Sequence, residues 1–176
     1  MRPPDITIRS LAVQGLSDRE RDAIEAIFFD ASHTRSFADD AARRQFRERW
    51  LGRYLASEPE ACFLARAGGE VVGYLAGTLE NAAGNPRFAD IGYFQAFAAQ
   101  CARYPAHLHI NLAPAWRGRL IDAFAELARA QGVAGLHVVT SEGARNVTFY
   151  QRCGFVPQAT TGPPGARLLF LGRRVV

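Results

Sequence analysis

Apolar residues recur along this chain with two periods, and the switches between them outline an alternation of strands and helices. Residues 6 to 13 alternate apolar with polar and predict a strand. Ser17 with Glu20 then reads as a capping box that opens a helix turning Ala23, Ile24, Ile27 and Phe28 inward. His33 to Ser36 break the pattern. A second helix is expected from about Phe37 to Ala56, with Phe46, Trp50 and Tyr54 at i, i+4 and i+8, stopping before Pro59. That aromatic stripe is read as core in preference to a ligand box. Cys62 to Ala67 and Glu70 to Leu79 are strand-like runs around Gly68-Gly69, a hairpin signal. Asn81 to Pro86 is turn-rich, and Arg87 to Arg103 predicts one or two helices bearing Phe88, Ile91, Phe94, Phe97 and Ala98, closed by Pro105.

From His107 to Leu112 the alternation is strict, with Leu108, Ile110 and Leu112 on one face and His107, His109 and Asn111 on the other. Pro114 stops that strand as a ladder member. After Trp116-Arg117-Gly118-Arg119 comes a helix with Leu120, Ile121, Phe124, Leu127 and Ala128 on one face and Asp122, Glu126 and Arg129 off it, closed by Gly132. Leu136 to Thr140 predicts a strand, and Ser141 with Glu142 offers an N-cap and a favourable charge to the helix that follows. On that helix Asn146 and Tyr150 stand four residues apart, hence on one face, and Gly154 suits a left-handed C-cap. Phe155 starts a strand, Thr160 to Gly165 turns a hairpin, and Arg167 to Gly172 is the last strand. Without repeat or linker, residues 1–176 read as one α/β domain, a mixed, twisted sheet flanked by helices.

Composition narrows the chemistry by exclusion. A chain of 176 residues buries a core without a disulfide or metal staple. All 21 basic residues are arginine, so lysine-based chemistry is excluded. Arg43, Arg44, Arg47, Arg49 and Arg53 point in several directions at ~100° per residue on a helix, and no basic stripe for nucleic acid results. The net charge of +4 suits an anionic cofactor only as a weak field. Cys62, Cys101 and Cys153 are far apart and odd in number, which predicts reduced thiols and a cytoplasmic protein. The N-terminus has no apolar signal core and no stretch approaches the ~18 apolar residues of a membrane span. A metal site is not expected, since the H-x-H of His107 and His109 is weak alone. Nor is there a Ser/His/Asp or Cys/His nucleophile motif.

The succession of strand I-N-L-A-P, turn W-R-G-R, helix L-I-D-A-F-A-E-L-A and segment N-V-T-F-Y-Q-R-C-G-F resembles the GCN5-related N-acetyltransferase (GNAT) superfamily. The insert G-Y-F-Q-A-F followed by Y-P-A-H-L-H-I-N-L is in addition similar to the bacterial acetyltransferases related to the C-terminal domain of eukaryotic O-GlcNAcase. The resemblance implies transfer of an acetyl group from acetyl-CoA to a primary amine by direct attack, with no protein nucleophile and with positioning carrying much of the rate. It implies that the backbone around Ile110, Leu112 and Ala113 holds the pantetheine arm and the thioester carbonyl, stabilising the oxyanion. It assigns the CoA pyrophosphate to backbone N–H groups at Arg117, Gly118 and Arg119, a helix N-terminus. Asn146 would bond the pantetheine or a bridging water. Tyr150 would protonate the departing thiolate, its phenol being protonated at neutral pH with a reference pKa of ~10.

Two matters stay open in the sequence. The general base is His109 or Glu80, acting directly or through water. The phosphate turn departs from the family pattern, because Arg119 runs directly into Leu120 and roughly five residues, both later glycines among them, are lacking from a full phosphate cradle. An omitted loop, a deletion or loss of CoA binding would each produce that turn. The last makes the rival reading a catalytically silent, acetyltransferase-like binding module. A protein-interaction domain using the aromatic insert from Arg87 to Tyr104 is a third. The acceptor is expected to be a small-molecule or peptide amine, with Tyr54, Tyr93 and Tyr104 as candidate pocket residues, and a homodimer is compatible with the reading.

Overall fold

A computed structural model describes residues 5–112 and 117–175. Seven strands, β1 (Ile6–Ser10), β2 (Cys62–Ala67), β3 (Glu70–Thr78), β4 (Ala106–Leu112), β5 (Gly135–Ser141), β6 (Val156–Thr161) and β7 (Leu168–Arg174), form one sheet in the order β1-β2-β3-β4-β5-β7-β6. The sheet is mixed: β4 and β5 are parallel, while β1/β2, β2/β3, β5/β7 and β6/β7 are antiparallel. Gly68 and Gly69, with φ of 56° and 88°, turn the β2–β3 hairpin through left-handed backbone that side chains disfavour. Among the described residues no helix is long and apolar enough to cross a membrane, and no group of three potential metal ligands forms.

Two compact units divide the chain. One runs up to Thr78 and includes His109–Phe124. Here β1 is shorter than the alternation predicts, because the Ser10 hydroxyl accepts from the Ala12 N–H and starts a helical turn, α1 (Leu11–Gln14). The Ser17/Glu20 capping box is present and opens α2 (Asp18–Ala31), which buries Ile24 and Phe28. The carboxylate of Glu20 also accepts from Arg9 Nη2 at 2.9 and 3.0 Å.

The helix expected from Phe37 to Ala56 is present from Asp40 to Ser57, with a π-turn inside it and right-handed helical backbone across both joins. Asp39 caps α3 (Asp40–Arg47), a π-helical turn occupies Glu48–Gly52, and α4 (Arg53–Ser57) follows. The aromatic stripe differs in burial. Tyr54 is buried, whereas Phe46 and Trp50 are half-buried, Phe46 resting on Phe28 and Phe37. Past a short 3-10 turn (Pro59–Ala61), β2 and β3 bury Leu64, Tyr74 and Leu75. Gly73 of β3 faces β4: a Cβ there would lie 2.6 Å from both the Asn111 carbonyl oxygen and the Leu112 Cβ.

The other unit comprises Leu79–Leu108 and Ala125 onward. A 3-10 turn (Pro86–Phe88), α5 (Gly92–Ala96) and α6 (Ala98–Arg103) realise the helical insert. Its core is unusual in holding two histidines among phenylalanines. His137 of β5 stacks on Phe170 at 4.5 Å between centroids and bonds the Tyr104 carbonyl through Nδ1. His107 of β4 meets Phe94 and Phe88 at 4.6 and 5.1 Å, with the two imidazoles 5.3 Å apart. Tyr104 is packing rather than a pocket residue. Its buried ring covers Gly135 and Gly172, where a Cβ would come within 2.6 and 2.8 Å of it.

Helix α7 (Arg117–Ala130) begins three residues earlier than the apolar face predicts, so Arg117, Gly118 and Arg119 form its first turn. It buries Leu120, Ile121, Phe124 and Ala128, and it passes from the first unit to the second at Phe124. At the end of the chain β6 lies at the sheet edge, where its register with β7 shifts between Pro157 and Ala159 and Val156 is exposed.

Candidate active site

In the first unit the chemistry-bearing stretch is the end of β4. His109, Ile110 and Asn111 are half-buried and Leu112 is buried. Asn111 Nδ2 donates to the Tyr74 hydroxyl at 2.7 Å, and burial pushes that phenol well above its ordinary range despite the bond. His109 is enclosed by the helix with the π-turn. Its Nε2 lies 3.1 Å from the Tyr54 hydroxyl, and the rings of Tyr54 and Trp50 meet the imidazole edge-to-face at 5.1 and 5.5 Å. Burial, with the Arg53 charge adding repulsion, pushes the imidazole down to about 4, so the ring is neutral at physiological pH. Glu80, the other candidate base, belongs to the second unit and is exposed. Its carboxylate accepts from Asn85 Nδ2 at 2.8 Å and from Arg87 at 3.2 Å, which ties it into its own turn.

The pyrophosphate reading falls on the first described turn of α7, from Arg117 to Arg119. The N-terminal end of a helix carries the positive end of its dipole. Gly118 and Arg119 lie in that first turn, Arg119 being exposed, and no separate glycine-rich loop stands between Arg119 and Leu120. Ala113 and Pro114 lie outside the described residues.

In the second unit β5 runs through Ser141, so Ser141 ends a strand and does not cap the helix as expected. The helix α8 (Asn146–Arg152) starts without a side-chain cap, after a turn in which the Ala144 N–H bonds the Ser141 carbonyl. Asn146 is fixed instead from its own face: the Thr140 hydroxyl donates to Oδ1 at 2.9 Å, which leaves the amide NH2 as its donor. One turn later Tyr150 is buried against Phe155, ring centroids 5.7 Å apart. The helix closes in a Schellman motif. Gly154, at φ 84°, donates to the Gln151 carbonyl, and the Phe155 N–H reaches back to Tyr150, both at 3.0 Å.

The parallel register of β4 with β5 comprises Ala106 with Leu136 and His107 with His137. Both strands continue beyond it. Sequence periodicity placed His109, Ile110, Leu112, Asn146 and Tyr150 on the elements where they stand. It named Tyr54 as a candidate pocket residue but missed Trp50 and Arg53 beside His109, Trp50 having been assigned to the core with the aromatic stripe.

SsHAT is 24% identical, with a TM-score of 0.73 over 98% of this chain and 100% of that one. An agmatine N-acetyltransferase is 15% identical, with a TM-score of 0.65 over 97% and 99% of the two chains. The Drosophila melanogaster polyamine N-acetyltransferase is 16% identical, with a TM-score of 0.63 over 97% and 100%. Such identities establish a shared fold. No curated protein matches the sequence. The model of the acetyltransferase (GNAT) family, however, matches residues 21–155, from α2 through β4, α7 and α8 to Phe155. With that match over most of its length, the chain belongs to the GNAT acetyltransferase family.

Proposed function

We propose that this protein transfers the acetyl group of acetyl-CoA to a primary amine on a small molecule or peptide. The observation that carries the reading is the face of α8, where Asn146 holds an amide donor oriented by Thr140 and Tyr150 follows one turn later. Acetyl-CoA supplies the acetyl group as a thioester, and each part of it has a fitting partner class in this chain. The backbone of Ile110 and Leu112 is assigned to the pantetheine arm, on the stretch of β4 past its two registered pairs with β5, and Ala113, assigned with them, lies outside the described residues. On α8, the Asn146 amide is a donor of the kind that a pantetheine carbonyl takes. Arg117, Gly118 and Arg119 offer first-turn amides and positive charge to the pyrophosphate.

Tyr150 Oη gives its proton to the departing sulfur, and the proton lost by the amine goes to His109. A neutral imidazole pushed down to about 4 is a weak base, suited to a proton made acidic by bond formation to the carbonyl rather than to a free ammonium ion. The match of the insert around α5 to the acetyltransferases related to O-GlcNAcase belongs to this proposal, as does a cytoplasmic location. The agmatine and polyamine acetyltransferases of the same fold make such amines sensible first acceptors.

A second reading has one observation in its favour. R-G-R-L-I is continuous helix, without the two later glycines of the family turn, as in a silent binding module that has lost its phosphate seat. Thermal melting with acetyl-CoA separates the two. Ligand at ~100 times its dissociation constant adds ~2.7 kcal/mol, which for a chain of this size is a rise of about 5–10 °C. Thiol release would then be followed with agmatine, spermidine, glucosamine and an arginine-free lysine peptide as acceptors. Turnover that falls far more than acetyl-CoA affinity in Tyr150→Phe supports the proposal. No melting shift at millimolar acetyl-CoA would sink it and leave the silent module.

A further inference from the structure

The π-turn of the first unit has one consequence for chemistry that the family match does not supply. In an α-helix, residues four apart overshoot a full turn by ~40°. A π-turn, with its i→i+5 bonding, rotates less per residue and removes part of that overshoot. The turn at Glu48–Gly52 contains Trp50 and ends two residues before Tyr54, and both rings come to the same partner, the imidazole of His109, at interplanar angles of 81° and 70°. Tyr54 adds a hydroxyl 3.1 Å from Nε2. It is itself only 2% exposed, so its own position is set by packing, and the bond to His109 is made by a fixed group. An imidazole turns freely about its second side-chain torsion unless something holds it, since that torsion has no sharp minima. Here two aromatic edges hold the plane and one hydroxyl holds the ring flip.

We propose that Tyr54 is the positioning residue of the proton acceptor: through its hydroxyl it fixes the ring orientation and the tautomer of His109. The inference rests on the assignment of His109 as acceptor of the amine proton, and it adds the group that makes a single ring nitrogen face the chemistry. Among the described residues, the charged and titratable groups facing His109 include Arg53 and Tyr54 from the helix with the π-turn. No covalent step passes through Tyr54. Nε2–H donates to the Tyr54 hydroxyl, which leaves the lone pair of Nδ1 to take the amine proton.

Tyr54→Phe keeps the ring that packs on His109 and removes only the hydroxyl. The ring nitrogens of the four histidines are resolved by long-range proton–nitrogen NMR, with His109→Gln identifying the signal. A single tautomer for His109 in the parent and a mixture of the two in Tyr54→Phe is the expected result, with melting unchanged within ~2 °C. Kinetics follow with whichever of the four amines above turns over fastest, on the parent, Tyr54→Phe, His109→Ala and the double variant. Tyr54→Phe is expected to lower kcat by about tenfold with KM for acetyl-CoA unchanged, and to have no further effect once His109 is gone. The same tautomer state in Tyr54→Phe as in the parent, or kcat losses that multiply in the double variant, would overturn the positioning role. If His109→Ala keeps full kcat, the proton-acceptor assignment fails first, and the role of Tyr54 fails with it. A defect in His109→Ala beside a normal Tyr54→Phe refutes the positioning role and leaves the proposed transfer standing.

Discussion

Replacing Gly73 with alanine tests how closely β4 is laid against β3. Gly73 has an ordinary negative φ, so alanine introduces no backbone strain, and the effect is steric. The new Cβ would stand 2.6 Å from the Asn111 carbonyl oxygen and 2.6 Å from the Leu112 Cβ. A leucine methyl rotates away easily, but a main-chain carbonyl and a Cβ move only with their strand. Opening the contact even to 3.0 Å, the tightest spacing that real Cβ atoms show, shifts that backbone by about 0.4 Å. Overpacking of this kind costs ~1–3 kcal/mol, less ~0.4–1 kcal/mol recovered from the stiffer unfolded chain. At ~2–4 °C per kcal/mol, the melting temperature should fall by up to ~10 °C. Differential scanning calorimetry of Gly73→Ala beside Gly92→Ala is the assay. Gly92 has no atom within 4 Å of its would-be Cβ and no positive φ, so it isolates the effect of losing a glycine. Equal melting temperatures for the two variants would refute the reasoning, because they would mean that β4 has room at Asn111.

Glu20→Gln should cost about 1–2 kcal/mol through the capping box and the Arg9 bonds. Burial raises the Glu20 carboxyl, but the Ser17 amide and hydroxyl and the Arg9 charge outweigh it, and the folded pKa is lowered from 4.5. The stabilisation is therefore complete above pH 4.5 and drains as pH falls toward the folded value. An acid limb equally steep in the variant's stability curve would contradict this. Thr78→Val removes the hydroxyl that donates to the buried Glu58 carboxylate without changing shape, and should destabilise by ~1–3 kcal/mol in urea titration. Burial pushes the Cys62 and Cys101 thiols up to about 12, whereas Cys153 is half-buried at a helix end. Native alkylation read by mass spectrometry should label Cys153 first, and Cys62 and Cys101 only on unfolding.

What the sequence made legible was local. Ser17 and Glu20 define a helix start by themselves, Gly68-Gly69 a hairpin, and Gly154 a helix end, because each is a contact between residues a few positions apart. The alternation from His107 to Leu112 located the strand correctly but suggested a polar face. In the fold His107 is buried, because a strand within the sheet is covered on both sides and its histidine is enclosed by Phe88 and Phe94. The π-turn after Arg47 was illegible for a related reason. Nothing in E-R-W-L-G forbids an α-helix, and what accompanies the π-turn is a pair of contacts to His109, more than fifty residues away in the chain. Helix α7 starts early because Arg117, Gly118 and Arg119 are all compatible with helix, while periodicity sees only the apolar residues that follow. The surroundings of His109 belong to the same class, being assembled from a strand and a helix that no spacing rule connects.

The slipped register of β6 bears on how the molecule behaves at high concentration. An outer strand is a template on which another chain can crystallise its own backbone, one bond after another, and a hydrophobic side chain such as Val156 would reward it. Pro157 carries no amide hydrogen, and the ladder falls out of step between it and Ala159, so an arriving strand finds no evenly spaced row to copy. The irregularity that weakens this edge as a piece of sheet thus serves as a stop signal against fibre-like growth.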